Sequence, residues 1–341
     1  MMRVGIVTEQ LRRPTPGGIG RYATSLLQAL QQRADIDAVA IAGVLPPNVT
    51  SRLWAAGGVI RKRTDLIHAT SFSYPRVVPR IPTTVFIHDV LWRGAGSDAL
   101  NPRGIAFHER GLARVVRGGG AVLVPSEAVA AGLIKCGVDG GLVTVTGEGS
   151  DHLPIGTRTV AEPYLLSVGT FEPRKNLRRL LAAYELLRQH INPAPPLRLV
   201  GSDAWRGMAG LPSTLPVGVE IIGRVNDDEL AGLYAGASAF VYPSLGEGFG
   251  LPPLEAMRAG VPTICSAVPS VMESIGGQAT GGEHALLVDP NNTESIMHAM
   301  HSVLTDRVRA EGLAVNGKAW AELRTWAKVA ERHVQLWRKL R

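Results

Sequence analysis

Short apolar runs separated by longer mixed stretches set the rhythm of this chain. Val4-Gly5-Ile6-Val7, Val39-Ala40-Ile41-Ala42, Leu66-Ile67-His68-Ala69, Thr84-Val85-Phe86-Ile87-His88, Ala121-Val122-Leu123-Val124 and Leu142-Val143-Thr144-Val145 make a first set. Each is continuous rather than alternating, the pattern of strands covered on both faces of a parallel sheet. Between the first two, Ile19, Tyr22, Leu26, Leu27 and Leu30 recur at helical spacing after a Gly-Gly break and predict an amphipathic helix over 19–30. A second set, 164–168, 197–200, 219–222, 239–242, 263–265 and 285–288, repeats the strand-then-helix order. The pattern predicts two doubly wound α/β units.

A turn-rich stretch from Gly147-Glu148-Gly149 to Pro154-Ile155-Gly156 reads as the linker, which gives an N-terminal domain over 1–155 and a second over 156–318. The last segment, 319–341, places Trp320, Leu323, Ala327, Ala330, Val334 and Trp337 on one stripe. That stripe is too apolar to be left in water, so the helix is expected to pack back across the domain junction. Ligands of open α/β sheets bind beyond the carboxyl ends of the strands, which puts the expected site in a cleft between the two units.

Composition narrows the class. A length of 341 residues with 45% hydrophobic positions, 39 glycines and 23 prolines suits a loop-punctuated two-domain enzyme. No apolar run approaches the roughly 18 residues of a membrane span. Cys136 and Cys265 have no CxxC partner, which argues against a disulfide framework or a thiolate metal site and suits a cytoplasmic protein. Charge is uneven: the first 160 residues hold 18 Lys/Arg against 11 Asp/Glu, so the whole formal excess of +7 lies there. Such asymmetry points either to an anionic partner surface or to a merely solvated basic face.

Three segments carry candidate chemistry. Pro16-Gly17-Gly18-Ile19-Gly20 opens the first helix, and adjacent glycines there either let a phosphate or sugar approach a helix N-terminus or only shape the turn. The G-x-G-x-x-G dinucleotide fingerprint is absent, which disfavours an NAD enzyme. Gly169-Thr170-Phe171-Glu172-Pro173-Arg174-Lys175-Asn176-Leu177 sets two adjacent cations, Arg174 and Lys175, at a loop-to-helix junction. Cations at a helix start, where they are electrostatically disfavoured, suit a diphosphate clamp working without metal. Third, Pro243-Ser244-Leu245-Gly246-Glu247-Gly248-Phe249-Gly250-Leu251-Pro252-Pro253-Leu254-Glu255 holds two glutamates eight apart around a glycine turn. Glu247 in the loop suits sugar hydroxyls; Glu255, expected in the first helical turn, suits a ribose diol or serves the helix dipole. The Asp35-Ile36-Asp37 match to a D-x-D metal motif precedes the second strand, where nothing directs it to a cleft.

The E-x7-E segment, the Gly169 to Leu177 turn, the Gly17-Gly18 loop and Gly223-Arg224-Val225 before an Asp-Asp-Glu-Leu helix together resemble the GT-B glycosyltransferases of family 4, over almost the whole chain. The resemblance implies two Rossmann-like domains facing a central cleft, with the C-terminal helix crossing back. It implies metal-free transfer of a hexose, mannose being favoured, from a GDP- or UDP-linked sugar to a glycan, glycolipid or small-molecule hydroxyl, with retention of configuration. No cofactor beyond this nucleotide diphosphate sugar is implied. Glu247 would hold the donor sugar, Glu255 the ribose, and Arg174 and Lys175 the diphosphate. Gly17, Gly18, Val225, Gly248, Phe249, Gly250 and Leu251 would complete the donor site, and His88, ending its strand in Phe86-Ile87-His88-Asp89, would join Glu247 in catalysis. The chain departs from the family where Val271-Met272-Glu273-Ser274 and the glycine-rich 276–282 stand in place of the usual Pro-Glu pair.

Two other readings compete: a UDP-sugar epimerase of the same form, and a non-catalytic nucleotide-sugar binder. Nucleic-acid binding is disfavoured because aromatics are not interleaved with the cations. On the helix after Asn101-Pro102, Arg110, Arg114 and Arg117 fall at i, i+4 and i+7, with Arg103 two turns earlier. They form an expected ridge for peripheral contact with anionic membrane or for an anionic acceptor.

Overall fold

The computed structural model describes residues 1–13, 17–61, 63–78, 81–94, 102–157, 162–202, 211–212, 214–277 and 283–340; Pro16, Asn101 and the glycine-rich 278–282 lie outside them. The chain forms two compact units, one of Met1–Trp92, Leu100–Gly149 and Thr325–Arg341, the other of Arg93–Ala99 and Ser150–Arg324. The change of unit falls at 149/150 rather than 155.

In the first unit the strands are β1 (Met2–Val7), β2 (Ile36–Ile41), β3 (Val59–Arg61), β4 (Leu66–Ala69), β5 (Arg76–Val78), β6 (Thr83–Phe86), β7 (Val122–Val124) and β8 (Val143–Val145). Six of them form a parallel sheet in the order β2-β1-β4-β6-β7-β8, and β3 pairs separately with β5. The second unit has β9 (Leu165–Val168), β10 (Leu197–Val200), β11 (Val219–Gly223), β12 (Ala239–Tyr242), β13 (Thr263–Ser266) and β14 (Leu286–Val288), parallel in the order β11-β10-β9-β12-β13-β14. This is the doubly wound order 3-2-1-4-5-6, whose direction reverses between β9 and β12. Central strands such as β4, β12 and β13 are buried throughout, whereas the edge strands β2, β8 and β11 are mostly half-exposed. That contrast is the reason the central runs read as continuously apolar.

Each sheet has a core on both faces. On one face of the first sheet, Tyr22, Leu26 and Leu30 of the helix Gly17–Gln31 meet Trp326, Val329, Ala330, Val334 and Trp337 of the helix Trp326–Lys339. The expected single C-terminal stripe is therefore split. The helix Arg307–Glu322 ends, and Thr325 caps a new one by accepting a bond from the Lys328 N–H. Trp320 stays in the second unit, where it donates to the Ser274 carbonyl, while Leu323 and Ala327 face solvent. The buried positions run 326, 329, 330, 333, 334 and 337, an ordinary amphipathic spacing that starts afresh at the cap.

A fully buried hydrogen-bond chain crosses this packed face. Trp337 Nε1 donates to Thr84 Oγ1 (3.2 Å) and Thr84 to His68 Nδ1 (2.9 Å). His68 Nε2 then donates to Tyr22 Oη (2.8 Å), Tyr22 to His333 Nε2 (2.8 Å), and His333 Nδ1 to the Val329 carbonyl (2.8 Å). With both imidazoles neutral, the Val329 carbonyl, which can only accept, sets this direction along the whole chain. Burial pushes the His68 imidazole well below its ordinary range and the His333 imidazole down to about 4. Since the unfolded chain then binds more protons, this stability is complete above about pH 6.5 and is lost as pH falls through 4; His333 alone accounts for roughly 3 kcal/mol. Thermal melts of the first unit between pH 7 and 4 should show a steep fall, and a flat melting temperature over that window would contradict the chain.

Candidate functional site

The reversal point of the second sheet brings the two most specific sequence segments together. From the carboxyl end of β9 the chain passes through Gly169 into a single 3-10 turn, Pro173–Lys175, and then through Asn176 in the left-handed region (φ 58°) into the helix Leu177–His190. From the carboxyl end of β12 it passes through Pro243 and Ser244 to Glu247 and then to the helix Leu251–Arg258. Backbone and side-chain bonds stitch the two loops together. Leu245 N donates to the Arg174 carbonyl (2.8 Å), and Asn176 Nδ2 to the carbonyls of Pro243 (3.0 Å) and Pro290 (2.7 Å). Behind the site β9 and β10 end in close backbone contact: a Cβ on Gly201 would lie 1.9 Å from the Gly169 carbonyl oxygen. Only glycine fits there.

Glu247 is the hub. Its Oε1 accepts from Lys175 Nζ (2.7 Å), Tyr242 Oη (2.8 Å) and Ser244 Oγ (2.5 Å), and its Oε2 accepts from Arg174 Nη1. Lys175 also donates to Tyr242 Oη, and Arg174 pairs with Glu172 (2.7 Å). Burial by itself would raise the Glu247 carboxyl, but Arg174 and Lys175, with the hydrogen bonds, outweigh it and hold the group at about 2. Burial and the neighbouring Arg174 push the Lys175 ammonium down, against the pull of Glu247. Two cations thus face two carboxylates. The cluster is a preorganised set of charge-assisted bonds at the carboxyl edge of the sheet, and a ligand oxyanion can compete there for Arg174 and Lys175.

Glu255 stands apart from this cluster. It is the fifth residue of its helix rather than a first-turn residue, and it is 8% exposed. Its Oε1 lies 2.7 Å from His152 Nε2, and its Oε2 accepts from Tyr234 Oη at 2.7 Å. Leu251 opens the helix, the side chain of Phe249 is buried in the adjoining core, and Gly250 (φ 103°) precedes the first turn. Val225 follows β11, packs partly on the same core and precedes Asn226, which caps the Asp227–Gly236 helix with a full capping box. In place of the family's Pro-Glu pair the helix Pro269–Ile275 supports the loop, with Ser270 Oγ donating to the Glu247 carbonyl (2.6 Å).

The remaining sequence candidates lie in the first unit. Gly17 and Gly18 form the exposed start of the helix Gly17–Gln31 instead of a loop before it, and nothing lies within 4 Å of either Cβ position. His88 does not end a strand, since β6 stops at Phe86; it stands two residues on, with Nε2 3.0 Å from the Thr70 carbonyl oxygen. Asp35 is paired with Arg33 and Arg338, and Asp37 with Arg3, so both carboxylates of the D-x-D match are held by arginines. The arginine ridge is broken as well. Arg114 Nη1 turns inward to the carbonyls of Trp54 (2.9 Å) and Tyr74 (3.1 Å), and its guanidinium lies 3.9 Å from the Tyr74 ring centroid. Arg103, Arg110 and Arg117 remain exposed.

Sequence reasoning missed Tyr242, Ser244, Glu172 and Asn176 around Glu247, and His152 and Tyr234 around Glu255. Tyr242 and Ser244 flank Pro243 just ahead of the glutamate, and Glu172 and Asn176 flank the two cations, so their proximity was available; His152 and Tyr234 lie far along the chain from Glu255 and left no local signal.

Comparison with known proteins bears on the second unit first. Residues 155–320 match the family described as Glycosyl transferases group 1. O-antigen chain mannosyltransferase B of Escherichia coli is 38% identical over 182 residues, which is 52% of this chain and 46% of that protein. The matches span less than half the length of the curated relatives they align with. Among solved structures, a sucrose-phosphate synthase from Thermosynechococcus elongatus superposes with a TM-score of 0.75 at 22% identity, covering 100% of this chain and 99% of that one. Anabaena HepE in complex with UDP-glucose gives 0.74 at 16% identity, covering 99% and 100%. The chain shares the fold of these two structures.

Proposed function

We propose that this chain, whose residues 155–320 form a Glycosyl transferases group 1 domain on a GT-B fold, is a retaining, metal-independent hexosyltransferase using a nucleotide diphosphate sugar. The observation that carries the reading is Glu247 held by Arg174, Lys175, Tyr242 and Ser244 at the reversal point of the second sheet. In this reading Arg174 and Lys175 take the diphosphate and Glu247 the donor sugar. Glu255, an acceptor-only carboxylate when ionised, takes the ribose hydroxyls. Val225 and the backbone from Gly248 to Leu251 complete the donor site, and Gly17, Gly18 and His88 act from the first unit. The bond between the sugar's anomeric carbon and the diphosphate breaks while the acceptor oxygen bonds that carbon on the same face. The acceptor proton leaves with the diphosphate.

The relatives' names favour mannose as the sugar and a growing glycan as the acceptor, so GDP-mannose is the first donor to test. A thermal-shift panel of GDP-, UDP-, ADP- and TDP-sugars identifies the base, because a donor at 100 times its Kd adds about 2.7 kcal/mol. Free nucleotide diphosphate released only in the presence of acceptor, unaffected by EDTA and with the donor's anomeric configuration kept in the product, supports the proposal. An inverted product or an absolute need for added divalent metal overturns it.

No helix among the described residues is long and apolar enough to cross a membrane. Peripheral contact is a further part of this reading. Arg103, Arg110 and Arg117 are exposed, and Arg114 ties their helix to the helix Pro47–Ala55, which exposes Val49 and Leu53 around Arg52. Each surface cation contributes about 1 kcal/mol at an anionic membrane. The protein should co-sediment with phosphatidylglycerol vesicles at low salt and be released at high salt. Equal binding to neutral vesicles, or unchanged binding after Arg110→Gln with Arg117→Gln, counts against membrane contact.

A further inference from the structure

The Gly147-Glu148-Gly149 turn has no role in the reading above beyond marking the end of the first unit, yet it buries a carboxylate. Glu148 is 6% exposed. Among the described residues its one polar side-chain contact is with His88, whose Nδ1 lies 3.7 Å from Oε1. A buried carboxylate is costly unless a donor faces it, so a position that keeps one beside a single imidazole needs a reason.

The turn is shaped to place this group. Arg332 Nη1 holds the Thr146 carbonyl (2.8 Å), Gly147 adopts φ 71°, and Gly149 presses on the restart of the C-terminal helix, where a Cβ would lie 2.4 Å from Trp326 N. A side chain at 149 would push the turn, and Glu148 with it, off that helix. The ring of His88 is confined in the same way: it stands edge-on to Tyr22 (centroids 5.1 Å apart, 89°) and against Phe86 (4.7 Å). On one side Nε2 meets the Thr70 carbonyl oxygen, which can only accept. On the other, Nδ1 meets the carboxylate of Glu148. Both ring nitrogens therefore face acceptors.

We propose that Glu148 is the positioning residue for His88, its buried carboxylate beside Nδ1 fixing the ring's orientation; this rests on His88 taking part in the transfer proposed above. A carboxylate beside an imidazole fixes where the ring points, and so governs turnover without touching substrate.

The test compares steady-state kinetics of Glu148→Gln, His88→Asn and the double variant with the unmodified chain, using GDP-mannose or whichever donor the panel identifies. Glu148→Gln should lower kcat about tenfold or more and leave the donor KM within about twofold. The double variant should be no slower than His88→Asn alone, because residues acting as one unit are non-additive. If Glu148→Gln does not fold, Glu148→Asp, which keeps the charge but withdraws it by one methylene, must show the same fall in kcat at unchanged KM. Unmodified turnover in Glu148→Gln beside an impaired His88→Asn, or losses that simply multiply in the double variant, overturns the positioning role and leaves the proposed function standing. Unmodified turnover in His88→Asn removes the reading of His88, and this inference with it.

Discussion

Glu247→Gln lowers transfer by about two to three orders of magnitude, the usual cost of losing one preorganised electrostatic stabiliser. The amide keeps one acceptor for Tyr242 and Ser244 but turns N–H donors toward Arg174 and removes the charge that Lys175 faces. Replacing the cations instead, Arg174→Ala with Lys175→Ala, leaves Glu247 buried without its counter-charges, so its carboxyl climbs from about 2 back toward and beyond the ordinary range. That variant loses donor affinity as well as turnover. The depressed carboxyl also stabilises the second unit. The contribution is complete above about pH 4.5 and is lost as pH falls through 2, roughly 3 kcal/mol in all. Kinetics with the identified donor, together with melting curves, check both variants. Full transfer in either, with melting unchanged, would end the assignment of these residues.

Trp337→Ala lowers the melting temperature of the first unit by about 6–20 °C, from a loss of about 3–5 kcal/mol. The indole is fully buried among residues of β1, β6, the helix Gly17–Gln31 and its own helix, and it supplies the first donor of the Thr84, His68, Tyr22 and His333 chain. Truncation removes the packing and leaves Thr84 without that donor. The second unit's transition should not move, which calorimetry resolves as two separate events. A shift under about 2 °C in the first transition would show that the helix Trp326–Lys339 is not part of that core.

The central strands were legible because a strand covered on both faces must be apolar at every position. β3 and β5 were not: three residues each, paired only with one another, they carry no periodicity to read. The C-terminal stripe misled because 320 and 323 continue the spacing of 327 to 337, and only the cap at Thr325 breaks it. At the site, Arg174, Lys175 and Glu247 stood out because charges beside glycines at a helix start have few structural uses. What makes them one cluster is the strand order β9-β12, and no local pattern encodes strand order. Arg114 failed as a surface cation for the same reason. Its acceptors at 54 and 74 are distant in sequence, and helical spacing says nothing of which side the core lies on.

The interruption of the first unit by the second has a consequence for synthesis. Trp326, Val329, Ala330, Val334 and Trp337 are needed to close a core whose other members, from Met2 to Leu123, emerge from the ribosome long before them. At about 5–20 residues per second, the 150–324 stretch between takes roughly 10–35 s to make. Throughout that interval one face of the first sheet, with Tyr22, Leu26 and Phe86, waits without its cover while the second unit has its complete sequence available and can fold. The newborn chain thus matures from its middle outward, and a chaperone that shields apolar sheet surface has its window there, before the last helix arrives.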